Sequence, residues 1–357
     1  MNKYLIKRVV SILLIIFSII NIVCFTSCKK ESVSDSKIIT DCSGAKVEIS
    51  KNIKTVIAPN QPFCEFMIAM GEADKLIGSH GSVLGHSWAP IFYENITSLE
   101  MYGYKPEAET LLAAGADLVV VKNPAYAETL RKAGIPAIYF GYNNIDELYY
   151  AVDLMGEIFG DNAKNFANKW KNKLNGTIDS ISKEVSSIDE ADKKSVYFMN
   201  AAINPCSLYS TFGGDSFTNY WIDTIGGKLV TSEYENIEEI DQEVAISLNP
   251  EVIFISGYAE YTSYDELMGD KLWSDIDAVK NKEVYLMPTS LVSFDRFAVE
   301  LPMLLEYSAN LLYPELHKFN ALDEMRSFYK EFYGKDFTDE QLNYMIKGLN
   351  PDGSRMG

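Results

Sequence analysis

The chain of 357 residues is long enough to bury the cores of two ordinary domains, and 50 acidic against 32 basic side chains give it a formal charge of −18. An excess of that sign argues against nucleic acid or anionic lipid as an electrostatic partner. With 22 Tyr and 18 Phe, there are rings enough to line a binding surface as well as fill a core.

Residues 1–28 read MNKYLIKRVVSILLIIFSIINIVCFTSC, a basic start, an apolar run from Val9 to Phe25, then Thr26, Ser27 and Cys28. This is an export signal rather than a folded element. Small residues directly before a cysteine resemble the cleavage box of bacterial lipoproteins and make Cys28 the expected lipidated first residue. Asn21 interrupts the apolar run, short of the about 20 continuous residues of an uncleaved span. Removing the first 27 residues takes Lys3, Lys7 and Arg8 but no acid, leaving 29 bases against 50 acids. Residues 29–37, KKESVSDSK, are polar without an apolar period and form a flexible tether.

From Ile38 the text is globular. ITDCSGAKVEIS alternates and turns at Ser43-Gly44, which predicts a hairpin. NIKTVIAP is a short strand ending at Pro59, and FCEFMIAMG a helix stopped by Gly71. KLIGS is a second strand, leading into the long loop HGSVLGHSWAPIFYENI. PEAETLLAAGADLVVVKN and AETLRKAGIPAIYF each give helix, glycine turn and buried strand, and IDELYYAVDLMGEIFG is a further helix. Strands alternating with helices predict an α/β fold with parallel sheets.

Residues 161–187 then read as one long amphipathic helix, with Phe166, Trp170, Leu174, Ile178, Ile181 and Val185 on one face and Asp161 as its expected cap. After it the pattern restarts: KKSVYFMN is a strand, DSFTNYWIDTIGG a helix, DQEVAISLNPEVIFISG helix, turn and strand, and NKEVYLMP a closing strand. Glu107, Glu109, Leu111 and Asp117 match Asp241, Glu243, Ala245 and Glu251 at a constant offset, which predicts an internal repeat of one sheet-and-helix unit. The expected domains are a first lobe at 38–160, the interlobe helix at 161–187, a second lobe at 188–315, and tail helices at 316–357 packed on the second lobe.

In open parallel sheets ligands bind beyond the carboxyl ends of the strands. The loops there, 60–65, 79–92 and 122–126 in the first half and 200–213, 257–264 and 288–297 in the second, carry His80, His86, Trp88, Tyr126, Tyr209, Tyr258, Tyr261 and Arg296. An aromatic lining with few charges suits a bulky chelate or macrocycle better than a bare ion. Arg296 is open to two roles, pairing with a ligand's carboxylates or hydroxamates, or with Glu300 four residues on. A zinc-type site needs three or four convergent ligands and the chain has only three His, so a structural role is expected for each. With Cys24 removed and Cys28 lipidated, Cys42, Cys64 and Cys206 remain; Cys64 and Cys206 border the same loops, as metal ligands, as a disulfide across the lobes, or, as expected, as small unpaired core residues. No G-x-S-x-G elbow, P-loop or H-E-x-x-H occurs, and neither catalysis nor a resident cofactor is expected.

The chain resembles the substrate-binding lipoproteins of ABC importers for iron-siderophores, heme and vitamin B12. The likeness rests on TDCSGAKVEISKNIKTVIAP, MGEADKLIGS, the ETLLAAGADLVVV and EVAISLNPEVIFIS pair, IGGKLV, and SFDRFAVELPMLLEYSANLLYPEL, in that order from Ile38 onward. The resemblance implies two lobes joined by a rigid helix, a metal chelate captured between them with little hinge motion, and a monomeric, non-enzymatic protein. It also implies docking on a permease dimer and its ATPase through one acid on each lobe, which fall on Glu109 and Glu243. Two rivals are a binder of bare or loosely chelated metal using His80, His86, Cys64 or Cys206, and a redox or metal-insertion enzyme on a similar scaffold.

Overall fold

A computed structural model describes residues 35–200, 209–257 and 260–356, with the backbone alone for 260–263. The export signal with Cys28, and also Cys206 and Tyr258, lie outside the described residues. From Ile38 onward the described residues form one compact unit that holds both lobes.

The expected hairpin is β1 (Ser36–Thr40) and β2 (Lys46–Ser50). Asp41 makes its turn by accepting from Ser43 N at 2.9 Å and Ala45 N at 3.1 Å, with Gly44 at φ 82°. β3 (Val56–Ala58) leads into α1 (Gln61–Ala69), whose first turn is capped by Asn60 Oδ1 on Phe63 N at 3.1 Å. Then come β4 (Leu76–His80), β5 (Glu100–Tyr102), α2 (Ala108–Ala114), β6 (Leu118–Val121), α3 (Pro124–Lys132), β7 (Ala137–Tyr139) and α4 (Ile145–Phe159). The five strands from β3 to β7 form one parallel sheet in the order β5-β4-β3-β6-β7. Its interior strand β6 reads LVVV and is buried on both faces, as helices on either side of a parallel sheet require.

α5 (Asp161–Val185) is the long helix, 25 residues or about 37 Å. Its buried stripe is Ala163, Ala167, Trp170, Leu174, Thr177 and Ile181. Asp161 is not its cap. Gly160, at φ 94°, holds that position without a side chain, and Asp161 is the first helical residue, almost wholly solvated. An acid there still favours the helix dipole.

The second lobe follows: β8 (Ser195–Met199), α6 (Phe217–Thr224), β9 (Lys228–Leu229), α7 (Gln242–Ser247), β10 (Val252–Ile255), β11 (Val284–Leu286) and α8 (Leu301–Leu312). Its sheet is parallel in the order β11-β10-β8-β9. The repeat is visible atom by atom. Asp117, at the start of β6, accepts from Lys54 N and Thr55 N while its own N–H donates to Thr55 Oγ1 at 3.0 Å. Glu251, at the start of β10, accepts from Ser195 N at 2.8 Å while its N–H donates to Ser195 Oγ at 3.1 Å. Glu107 and Asp241 both sit at the N-cap position, before α2 and α7 respectively, and Leu111 and Ala245 are both buried beneath.

The tail reaches further than the second lobe. α9 (Ala321–Tyr333) and α10 (Asp339–Ile346) lie also against the first lobe and α5: Phe92 meets Tyr329, Tyr333 and Phe337, and Phe166 meets Phe332. An amphipathic helix goes where apolar surface is uncovered, and the seam between lobes offers more than one lobe alone.

His317, just before α9, is clamped between helices. Its Nδ1 lies 2.5 Å from Glu184 Oε2 at the end of α5 and its Nε2 2.8 Å from Glu306 Oε2 on α8, while Thr177 donates to Glu306 Oε1. Burial works to lower the imidazole pKa, but hydrogen bonds and charge from Glu306 and Glu184 prevail and raise it above its ordinary value. A raised histidine stabilises fully below the unfolded value near 6.5 and loses that contribution as pH rises through the folded value. His317→Gln should therefore cost about 1–3 kcal/mol at pH 6 and clearly less at pH 9, measured by urea unfolding. An equal cost at both pH values would remove the charged clamp.

Candidate functional site

Each sheet changes its direction of growth at one strand, β3 in the first lobe and β8 in the second, and such a switch point opens a crevice at the strand's carboxyl end. β3 runs into Asn60 and Gln61, and β8 runs into Asn200. Between the lobes lies an open pocket of about 250 Å³, bounded by Gln61, Tyr104, Lys122 and Tyr142 on one side and by Phe217, Arg296 and Phe297 on the other. It adjoins a depression of about 490 Å³ beside Lys105 and Tyr126, with which it shares Tyr104 and Lys122. Another, of about 400 Å³ beside Phe212 and Ser216, shares Tyr142, Phe217 and Phe297 with it.

Two cations face this pocket, one from each lobe. Lys122 follows β6 and lies 3.4 Å from the centroid of the Tyr104 ring, a cation–π contact, and Tyr104 in turn stacks on His80 at 3.6 Å. Burial among these walls, then the nearby Arg296 charge, holds the Lys122 ammonium below its ordinary pKa. Arg296 is aimed by its own neighbours: Nη2 donates to Ser256 Oγ at 2.8 Å and to Asp295 Oδ2 at 3.0 Å, and lies 3.4 Å from Asn200 Oδ1. Asp295 is itself buried and accepts from Ser256 Oγ at 2.7 Å and Gly257 N at 3.1 Å, so the carboxylate that orients Arg296 is fixed before any ligand arrives.

The rings form the rest of the wall. Phe297 stacks on Phe217 at 4.8 Å and stands 6.0 Å from Trp221. It adopts φ 55°, a left-handed conformation that costs a bulky side chain of order 1–3 kcal/mol. Tyr142 helps hold it, donating from its hydroxyl across the lobes to Phe297 O at 2.9 Å. That kink decides the second role considered for Arg296. Only a short 3-10 turn precedes Phe297 and α8 begins at Leu301, so Arg296 and Glu300 are not one helical turn apart; Arg296 pairs with Asp295 instead.

The expected lining residues divide. Tyr126 lies in the depression beside the pocket, with Lys105 over its ring and its hydroxyl on Pro106 O. His80 stands behind Tyr104, accepting Ser82 N on Nδ1 at 3.1 Å, and burial followed by the Lys122 charge lowers its pKa. Trp88 belongs to the core: wholly buried, it donates from Nε1 to Leu349 O at 2.8 Å and packs on Phe337, because the tail covers its loop. His86 is half-buried with Nε2 3.3 Å from Thr289 Oγ1, and burial pushes its pKa down to about 4. Tyr209 stacks on Trp273 beside the second lobe's core. Tyr258 and the side chain of Tyr261 are not described. Lys122, Tyr104, Tyr142, Phe217 and Phe297 were not singled out from sequence.

Among the described residues Cys42 and Cys64 have no disulfide partner, and burial pushes both thiols up to about 11. Among the described residues no group of three His, Cys, Asp or Glu is gathered to hold a metal ion.

The sequence profile of the periplasmic binding proteins matches residues 64–291, more than half of the chain. The chain belongs to the periplasmic binding protein family. Its relatives include the molybdate-binding protein MolA of Haemophilus influenzae, 23% identical over 351 residues that cover 87% of this chain and 95% of MolA. Another is the iron(3+)-hydroxamate-binding protein YxeB of Bacillus subtilis, 22% identical over 227 residues, 60% of this chain and 70% of that protein. The solved structure of MolA bound to molybdate shares the fold at a TM-score of 0.74 and 19% identity, covering 85% of this chain and 99% of that one. Family membership makes this a solute-binding protein of an ABC transporter, working outside the cytoplasm and delivering its solute to a permease; it is not an enzyme. Among the described residues no helix is long and apolar enough to cross a membrane.

Proposed function

We propose that the protein, lipid-anchored at Cys28 and monomeric, captures a ferric chelate with exposed anionic or hydroxamate oxygens in the interlobe pocket. It then presents that chelate to its permease through Glu109 and Glu243. The observation that carries the reading is the pair Lys122 and Arg296, which bring positive charge from both lobes to one pocket walled by tyrosine and phenylalanine rings. Ligand oxygens answer the cations and the chelate's apolar body covers the rings. A small tetrahedral oxyanion would leave those rings uncovered, although the likeness to MolA makes molybdate the necessary comparison. Bare metal is disfavoured because Cys64 is buried, neither it nor His86 lines the pocket, and His80 is turned to Ser82.

Trp221, 6.0 Å from Phe297, makes the test optical. The mature protein is titrated with ferric citrate, a ferric catecholate, ferrichrome, heme, cobalamin, molybdate and free divalent metals while Trp fluorescence is followed. Saturable quenching by one ferric chelate below micromolar concentration is the expected result. Saturation by molybdate or by free metal alone would overturn the proposal.

A further inference from the structure

The segment 293–300 carries Arg296 and Phe297 into the cleft, and it is gripped from outside its own lobe. Tyr142 takes Phe297 O, Trp170 Nε1 on α5 donates to Val299 O at 2.8 Å, and Glu65 Oε1 on α1 accepts from Val299 N at 2.8 Å. Such a grip is needed, since Phe297 would relax from its left-handed conformation if released.

The third of these contacts is unusual in charge. Glu65 is 0% exposed and its carboxyl neighbours that of Glu300, 2% exposed. Glu300 Oε1 accepts from Ser290 Oγ at 2.9 Å and from Tyr333 OH at 3.0 Å, and the same hydroxyl lies 3.3 Å from Glu65 Oε1. One phenol proton serves one carboxyl at a time. No N–H or O–H among the described residues reaches Glu65 Oε2, and no Lys or Arg among them pairs with either acid. Two adjoining carboxylates in such a place cannot both be ionised. A single shared proton would resolve it, a neutral Glu65 donating to Glu300 while Oε1 keeps Val299.

We infer that Glu65 is a positioning residue of the binding site, a neutral acid that shares one proton with Glu300 and so fixes the segment presenting Arg296 and Phe297. This rests on the pocket being the binding site. Burial, then the Glu300 charge and hydrogen bond, holds the Glu65 carboxyl well above the usual range. The other titratable groups facing the pair, Tyr142, Tyr329 and Tyr333, are phenols pushed up by burial and stay neutral beside it. For an acid raised in the folded state, the contribution is full below the unfolded value near 4.5 and is lost as pH rises through the folded value.

The test compares mature wild type with Glu65→Gln and Glu65→Ala from pH 5 to 10, reading the hydrogen-exchange protection of the Val299 amide and the affinity for whichever chelate the fluorescence panel identifies. In the wild type both are expected to fall about tenfold with rising pH. Glu65→Gln should hold both nearly flat, since the amide carbonyl keeps Val299 and the amide NH₂ replaces the acid proton. Glu65→Ala should be weak at every pH. An alkaline decline in Glu65→Gln as steep as in the wild type would overturn the inference, and so would unchanged Val299 protection in Glu65→Ala. Exchange at Val299 needs no ligand, so failure of the chelate reading leaves this result interpretable.

Discussion

Arg296→Gln should weaken chelate binding about 30- to 100-fold, and Lys122→Ala only about fivefold. A charge-assisted hydrogen bond inside a protein is worth about 1.5–3 kcal/mol, and 1.4 kcal/mol is a factor of ten in affinity. Arg296 sits at the upper end because its side chain is 20% exposed and its direction is set by Asp295, Ser256 and Asn200. Lys122 is more open to solvent, so its attraction is screened, and its share of the affinity should fade with added salt while that of Arg296 persists. Arg296→Lys should lie between, since an ammonium keeps the charge but loses the planar fork that Asp295 orients. Replacing Arg296 also removes the cation beside buried Asp295, although Ser256, Gly257 and Ser293 still donate to that carboxylate. Melting temperature is therefore recorded with each affinity, and a loss of binding without a large fall in melting temperature assigns the effect to the ligand. Affinity of Arg296→Gln within threefold of wild type would place the ligand outside this pocket.

Much of this architecture was legible in the sequence, for identifiable reasons. The step of three and four residues along α5 puts Trp170, Leu174 and Ile181 on one stripe whatever lies opposite, and a four-residue apolar run after a glycine turn, ended by Asn123-Pro124, leaves little choice but a buried parallel strand. The offset relating Glu107 and Glu109 to Asp241 and Glu243 was legible because both lobes repeat one local unit, down to the acid at each strand start.

The site was less legible, since what decides it is long-range. Trp88 looks like a loop ring until a carbonyl 261 residues away covers it. The Arg296 to Glu300 spacing suggests a helical pair until Phe297 turns left-handed between them. Tyr142 was within reach of the same rule that selected the other loops, because it lies just past the carboxyl end of β7. Lys122 stood in a loop already chosen, but nothing local shows that Tyr104 and Arg296 converge on it. Glu65 reads as an ordinary helix acid until Val299 and Glu300 are seen across the lobe boundary.

Reversing both Glu109 and Glu243 to Arg should stop uptake while leaving chelate affinity within twofold of wild type. Both side chains are exposed, each in the first turn of a short helix that precedes an interior strand, and each occupies the equivalent place in its lobe. In the proposed docking, arginines of the two permease subunits face these acids. An exposed ion pair contributes only about 0–1 kcal/mol, so neutralising one acid should slow uptake modestly. Reversal is different, because it replaces each attraction with like charges pressed together in the docked state, a penalty of several kcal/mol. Two such penalties on one molecule should act together, and single reversals should fall between wild type and the double variant. Neither acid lines the pocket or its adjoining depressions, so equilibrium binding is the internal control. Asp336→Arg, an exposed reversal in the tail, controls for net charge. The measurement is uptake of the labelled chelate in cells carrying the permease, with transporter ATPase activity as a second readout. Uptake unchanged in the double reversal would remove both acids from docking, while a loss matched by Asp336→Arg would trace the effect to overall charge rather than to these two positions.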